Sequence, residues 1–550
     1  MRKTSSLSQS KWDVIVVGTG IGGGTLGYAL AKAGKRVLFC EKGKDHSTDD
    51  KALRGDYAES FFRRPEVPQL KHREILTRAG RWFAGIEDAS TEHSQHFIPF
   101  LGSGTGGSSA LYGGAMERFF EEDFTPRRYY SDVAETTLPD RWPILYQELE
   151  PYYEEAEQLF RVRGTVDPLR RHKKWKYLPP SPLSSVSREF YDFLQQKGLH
   201  PYRLPIACDY VSGCMGCQGF LCDRECKNDS TQVCLEPAIS RLGAQLLDEC
   251  EVLRLKADRS RVTGVVCSKQ GQEYDLRAKV FVLAAGAIGT PAILLKSNCS
   301  VWPNGLANDS GLVGRNLMRH HIDLYAIFPK IREGFPGNNK EIAFNDLYVL
   351  EGKKFGTIQS FGAMPPASIL VEEIQEDLRY SPWPALASFF RLAKPMAKRI
   401  LKHLFARTII LAAMKEDLPY WENRVMLSEP DSRGQRRIIL KYRIRDCDRA
   451  RIKEFRERVR DVFEPYRFLL IKQAENNKRL AHICGTCCFG RDPNESVLDA
   501  NNKAHGLKNL YVVDSSFFPS SGGTNPSLTI AANALRVADH LLGKARKAFL

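Results

Sequence analysis

The chain has 550 residues, enough to fill more than one hydrophobic core, so two domains or one domain with large insertions are expected. Its Lys and Arg exceed Asp and Glu by a formal +15, a surplus that suits an anionic substrate or a membrane surface, or serves solubility alone when spread over a large surface; no nucleic-acid-binding signature accompanies it, and nucleic acid is excluded as a partner. No apolar h-region precedes the first strand, and no run reaches the roughly 18 apolar residues that a spanning helix needs, so the 14 cysteines read as reduced thiols of a cytoplasmic protein.

Val14 to Val17 form an apolar, β-branched run, the pattern of a strand buried on both faces. Gly18, Gly20 and Gly23 follow in the spacing G-x-G-x-x-G, and Leu26, Leu30 and Ala33 continue at helical spacing. Strand, tight glycine turn and helix place a helix N-terminus where it can face a pyrophosphate. A second strand, Arg36 to Cys40, ends in Glu41, at the distance where an acid accepts both hydroxyls of an adenosine ribose and repels a 2′-phosphate.

Asp45 to His96 is polar and broken by prolines, an irregular excursion over the first domain. In Leu101 to Phe124 the small residues Gly104, Gly106, Gly107, Ser108 and Ser109 would let the backbone lie against a flat ring system, with Leu111, Tyr112, Met116, Phe119 and Phe120 packing the loop. A helix is expected from Pro151, with Tyr152, Tyr153, Ala156 and Phe160 on one face. Cys208, Cys214, Cys217, Cys222, Cys226 and Cys234 crowd one segment; such thiols suit iron-sulfur or zinc ligation, or stand free or disulfide-linked.

Arg254 to Val282 alternates as antiparallel strands, and Val280 to Asn298 repeats the strand, small-residue turn and helix through Ala284, Ala285 and Gly286, the helix starting near Thr290 and Pro291. Its return after a long insertion makes the first domain discontinuous. Pro384 to Arg407 interleaves Arg391, Lys394, Lys398, Arg399 and Lys402 with Leu392, Met396, Ile400 and Leu404, a basic amphipathic pattern that fits either a membrane surface or an ordinary packed helix, with Pro395 expected to kink it. Thr408 to Met414 reads as a strand. Near the end, Leu510 to Val513 lead into Asp514, and Asn525 with Pro526 reads as N-cap and first residue of a helix.

With GTGIGG, GGSSALYGG, VLAAGAIGTP, HICGTC and VVDSSFFPSSGGTNPSLT in that order, the chain resembles the glucose-methanol-choline (GMC) oxidoreductases over nearly its whole length. The resemblance implies an α/β fold: a discontinuous Rossmann-like FAD-binding domain (1–140, 236–320 and 481–550), a cysteine-rich insertion (141–235) and a substrate domain with a mainly antiparallel sheet and helices (321–480). It implies that Gly18, Gly20, Gly23 and Glu41 hold the adenosine diphosphate half of FAD, that Gly106, Gly107, Ser108, Ser109 and Tyr112 lie along the flavin, and that Ala285, Gly286, Asp514 and Pro526 complete the cofactor site. His482 and Asn525 match the paired active-site positions, Asn525 standing where many members have a second histidine. The glycine loop lacks the histidine through which some members attach flavin covalently, so dissociable FAD is expected.

Cys217, Cys222 and Cys226 sit where some bacterial sugar dehydrogenases of the family bind a three-iron cluster, with a spacing near theirs; a cluster would make the enzyme a dehydrogenase. The expected reaction is oxidation of a sugar, glycoside or polyol hydroxyl, the hydride going to flavin and the proton to His482, with oxygen or a redox partner as final acceptor. Sterol or long-chain alcohols at a membrane surface, and flavin lyase or photodecarboxylase chemistry, are the rival readings.

Overall fold

The computed structural model describes residues 12–62, 69–91, 94–171, 176–331, 340–362, 364–379, 385–432, 434–476 and 482–544. A parallel sheet takes its strands from three separated stretches of chain: β1 (Trp12–Val17), β2 (Val37–Cys40), β3 (Gln245–Leu247), β4 (Ala278–Leu283) and β5 (Leu510–Val512), in the spatial order β5-β4-β1-β2-β3. Val14 to Val17 pair with Val280 to Leu283 on one side and Val37 to Cys40 on the other. Val14 and Val16 pack under α1 (Ile21–Lys32), through Leu26 and Leu30, and under the C-terminal helix Ser527–Leu541, through Ala534 and Val537. Ile15 and Val17 join the opposite core, which includes Val252, Leu255 and Val265 of an antiparallel meander. Cover on both faces explains the unbroken apolar run of β1, each fully buried aliphatic side chain contributing about 1.5–3 kcal/mol.

The second large sheet is antiparallel, in the order Phe468–Lys472, His321–Ile327, Ile409–Lys415, Gly356–Ser360, Ile342–Phe344 and Tyr202–Arg203. One face packs on the helices Asp446–Phe463 and Ser185–Gln196. The other presents Ile322, Gln359, Ala412 and Met414 to a cavity whose far wall is the carboxyl ends of β1, β2 and β4. Open parallel sheets bind ligands at that end.

Several helix boundaries differ from those the sequence suggests. The Tyr146–Leu159 helix begins five residues before Pro151, because the Glu148 carboxylate accepts the Leu145 N–H at 2.7 Å and caps the earlier turn. Gly286–Lys296 likewise begins before Thr290, whose hydroxyl is committed to Asp514 at 2.5 Å. Ala385–Phe405 passes through Pro395 as one helix. Pro395 lies on the solvent side, where the Arg391 carbonyl it leaves without an amide partner can be hydrated. At the C-terminus, Pro526 takes the cap position and the helix starts at Ser527, so the Asn525 side chain is released from capping.

Candidate active site

The cavity measures ≈ 510 Å³ and brings Gly18, Gly20, Glu41, Gly107, Ser108, Ser109, Tyr112, Ala285, Gly286, Asp514, Pro526, His482 and Asn525 onto one surface. Gly23 and Gly106 stand behind it. A Cβ at Gly23 would come within 2.2 Å of the Gly18 carbonyl oxygen, so its part is close packing of α1 on the turn. A Cβ at Gly106 would meet the Thr231 hydroxyl, away from the cavity. Gly18 turns with φ +98°, and a side chain there would press within 2.4 Å of the Ala284 carbonyl, so the turn between strand and helix admits no larger residue.

These residues fit a dinucleotide cofactor. The N-terminal turn of α1 opens on the cavity through Gly20, Ile21 and Gly22, with no side-chain cap on its free amides, as a pyrophosphate requires. Glu41 is buried beside it, accepting the Thr19 hydroxyl at 2.7 Å and the amides of Thr19, Gly43 and Gly104 at 3.0–3.2 Å. Burial pushes its carboxyl pKa up, against the pull of those donors. Asp514 is pinned by Gly286 N–H, Thr290 and Ser516, so one carboxylate ties the turn after β4 to the turn after β5.

The His482 end of the cavity is organised by a residue that sequence reasoning did not single out. Buried His320 meets the carbonyls of Ser521 and Gly522 with Nε2 at 3.1 and 2.9 Å, and its Nδ1 lies 2.8 Å from His482 Nδ1. Carbonyls only accept, so His320 Nε2 carries the proton. Burial pulls the His320 pKa down to about 4, leaving the ring neutral and Nδ1 a lone pair. His482 Nδ1 must therefore donate, and its own pKa is held well below the ordinary value, chiefly by burial. A neutral His482 with its proton on Nδ1 has a bare Nε2, a tautomer assigned from hydrogen-bond partners. Among the described residues nothing occupies that nitrogen, and His482 lines the cavity. Its backbone takes φ +58°, a left-handed conformation that costs a non-glycine residue roughly 1–3 kcal/mol.

Asn525 lies on the same cavity: its Oδ1 is buried and, among the described residues, without a hydrogen-bond partner. An orphaned buried amide oxygen costs about 1–3 kcal/mol unless a ligand donates to it. Lys340, also missed from the sequence because no motif surrounds it, adds a half-buried ammonium to the lining, its pKa pushed down to about 8 by desolvation. That charge is present below about pH 8 and lost above it. In Lys340→Met the alkaline decline of kcat/KM near that pH should vanish, with a loss of about tenfold at pH 7, worth about 1.4 kcal/mol; an unchanged pH profile would remove the ammonium from the site's chemistry.

The cysteine segment folds so that Cys222 adjoins both Cys217 and Cys226, with Cys208 and Cys214 beside Cys226. Cys226 groups with Cys208 and Cys214, its Sγ 3.4 Å from that of Cys214, while Cys217 groups with Cys222. Cys222 and Cys226 are 3.7 Å apart, and all five thiols are free. Hydrogen bonding from Cys217 pulls the Cys222 pKa down to about 4, and that from Cys208 pulls Cys214 to about 6. Cys234, by contrast, is buried against the Thr25 hydroxyl, where desolvation pushes its pKa up to about 12.

A glycine-turn parallel sheet with one cavity at its carboxyl end, lined by the α1 N-terminus, His482 and Asn525, has the features of a flavin-dependent oxidoreductase. The family models described as GMC oxidoreductase match residues 12–322 and 419–534, and the chain belongs to that FAD-dependent family. It is similar to 6'''-hydroxyparomomycin C oxidase of Streptomyces lividus, 30% identical over 96% of this chain and 92% of that one. A 2-methyl-1,2-propanediol dehydrogenase of Mycolicibacterium austroafricanum is 26% identical over 98% and 96%. Pyridoxine 4-oxidase from Mesorbium loti superposes with a TM-score of 0.61 over 97% of this chain and 99% of that one; at 20% identity this likeness concerns the fold.

Proposed function

We propose that the chain oxidises a primary or secondary hydroxyl of a sugar, glycoside or polyol to the carbonyl. The observation that carries the proposal is the His320–His482 hydrogen bond, which leaves a neutral imidazole nitrogen bare in the cavity. Removing hydride from a carbinol carbon is easy only as the hydroxyl proton leaves, and His482 Nε2 is the acceptor for that proton. Asn525 lies on the same cavity to hydrogen-bond the substrate and orient its carbon. Bound FAD supplies the acceptor for the hydride. Gly18, Gly20 and Glu41 would hold its adenosine diphosphate, with Gly107, Ser108, Ser109, Tyr112, Ala285, Gly286, Asp514 and Pro526 around the rest.

In this reading 1–140, 236–320 and 481–550 make the FAD domain, 141–235 the cysteine-bearing insertion and 321–480 the substrate domain. The FAD is dissociable, since the loop facing the cavity offers no histidine for covalent attachment. The five clustered cysteines are read as reduced thiols, the family match giving no support to an iron-sulfur cluster. Oxygen or a redox partner takes the electrons, and the site of action is cytoplasmic. The sugar-type substrate is supported by the relatives named for aminoglycosides, paromamine 6'-oxidase of Streptomyces fradiae among them, and by a fructose dehydrogenase large subunit of Gluconobacter japonicus.

A lipophilic alcohol is the second reading, favoured by the Ile322, Ala412, Met414 and Phe361 wall of the cavity. The test is product analysis: holoenzyme, a panel of aminoglycosides, hexoses, polyols and long-chain alcohols, and oxygen or a dye as acceptor. Loss of two hydrogens from a sugar-type hydroxyl is the expected result. Turnover confined to long-chain alcohols would overturn the substrate assignment, and no turnover of any alcohol would overturn the reaction.

A further inference from the structure

The Ala385–Phe405 helix leaves its apolar stripe outside the fold. Leu386, Phe389, Leu392, Met396 and Ile400 are 51, 78, 78, 64 and 59% exposed, although they recur three and four residues apart and so share one face, within an arc of about 120°. Its opposite side packs on the neighbouring helix Ala367–Arg379, where Lys394 pairs with Glu372 at 2.5 Å and Gln375 donates to the Ala387 carbonyl at 3.3 Å. Packing of the hairpin is thus satisfied by one face, and a second apolar face remains. Monomer surfaces rarely expose contiguous large apolar side chains of this kind.

Charge identifies the occupant. Between 385 and 405 there is no Asp or Glu; by the turn of about 100° per residue Arg399 borders the stripe while Arg391, Lys398 and Lys402 lie on the other side of the helix, and among the described residues none of these four has an acidic partner. Phe and Leu on one side with unpaired Lys and Arg on the polar side is the composition of a helix that lies in the headgroup plane of an anionic bilayer. A second copy docked stripe to stripe would bring Arg399 of each helix to the edge of a symmetric contact with no acid on the helix to meet it. Among the described residues no helix is long and apolar enough to cross a membrane, so the contact would be superficial. We infer that this helix is a docking surface for an anionic lipid bilayer. Phe361 and Pro365, just before the hairpin, line the cavity, so docking would set the entrance of the substrate site beside the lipid. The inference stands apart from the alcohol-oxidation reading, which a soluble enzyme would equally satisfy.

The test uses FAD-loaded enzyme and sucrose-filled vesicles, either pure phosphatidylcholine or phosphatidylcholine mixed equally with phosphatidylglycerol. Sedimentation with the anionic vesicles, weakened by salt and by omitting phosphatidylglycerol, is expected, and Phe389→Glu with Leu392→Glu should lower the bound fraction at least tenfold while turnover of a soluble alcohol is unchanged. Failure of the wild-type enzyme to sediment, or equal sedimentation of the double variant, would overturn the inference. A wild-type dimer that the double variant converts to monomer, with neither captured by vesicles, would overturn it in favour of self-association. Alcohol turnover without vesicle binding would sink this inference alone.

Discussion

His482→Ala should keep its FAD and lose about 10²–10⁴-fold in the rate at which an alcohol bleaches the flavin anaerobically, the span that a general base contributes. Retained FAD follows because the adenosine end of the cavity, Gly18 to Glu41, lies on a different part of the fold from His482. Its low pKa gives the wild-type enzyme a further signature. A histidine whose pKa is depressed stays neutral below its usual value of about 6.5, so the acid limb of kcat should fall below that pH. His320→Ala removes the acceptor that fixes the His482 tautomer, and its loss should be smaller, about tenfold, because a free imidazole still visits the productive tautomer. Stopped-flow reduction across pH separates these outcomes; full-speed reduction in His482→Ala would remove the base from the account.

Lys354→Ala should cost about 3–5 kcal/mol of stability, the usual penalty for breaking a buried ion pair on one side. Its ammonium is fully buried, 2.5 Å from Asp123 and 2.8 Å from Glu416, and without it two carboxylates face each other in a dry interior. The network reaches the active site. Glu416 accepts the Gly522 N–H at 3.2 Å, Ser521 bonds the Asp417 backbone in both directions at 3.0 Å, and Tyr348 bridges Asp123 to the Gly523 N–H. Ser521 and Gly522 are the residues whose carbonyls set the His320 tautomer. Thermal melting of FAD-loaded protein checks the loss, and Lys354→Met combined with Glu416→Gln and Asp123→Asn should recover part of it. An unshifted midpoint in Lys354→Ala would show the pair to be dispensable.

The Rossmann-like strands were legible because burial on both faces leaves a continuous apolar run, as in Val14 to Val17, and because a glycine turn there leaves few alternatives. That His482 and Asn525 share the cavity was legible from motif alone, and the chemistry proposed for them rests on residue type. His320 was not: it lies 162 positions from His482, in a stretch without a motif, and only the packing of the antiparallel sheet brings the rings together. Lys340 escaped for the same reason. Helix starts were misplaced where a side chain overrode proline's preference, Glu148 capping ahead of Pro151 and Thr290 drawn to Asp514. The cysteine trio came from a resemblance in position, which could not show that Cys208 and Cys214 also fold against Cys226.

The most direct test of the central claim is the visible spectrum of the purified protein before and after an alcohol is added without oxygen, followed by acid precipitation. Flavin absorbance that bleaches on addition of a sugar or polyol, with FAD released in equal amount to protein in the acid supernatant, is the predicted result. Colourless protein that takes up no FAD, or a bound flavin that no alcohol reduces, would contradict it.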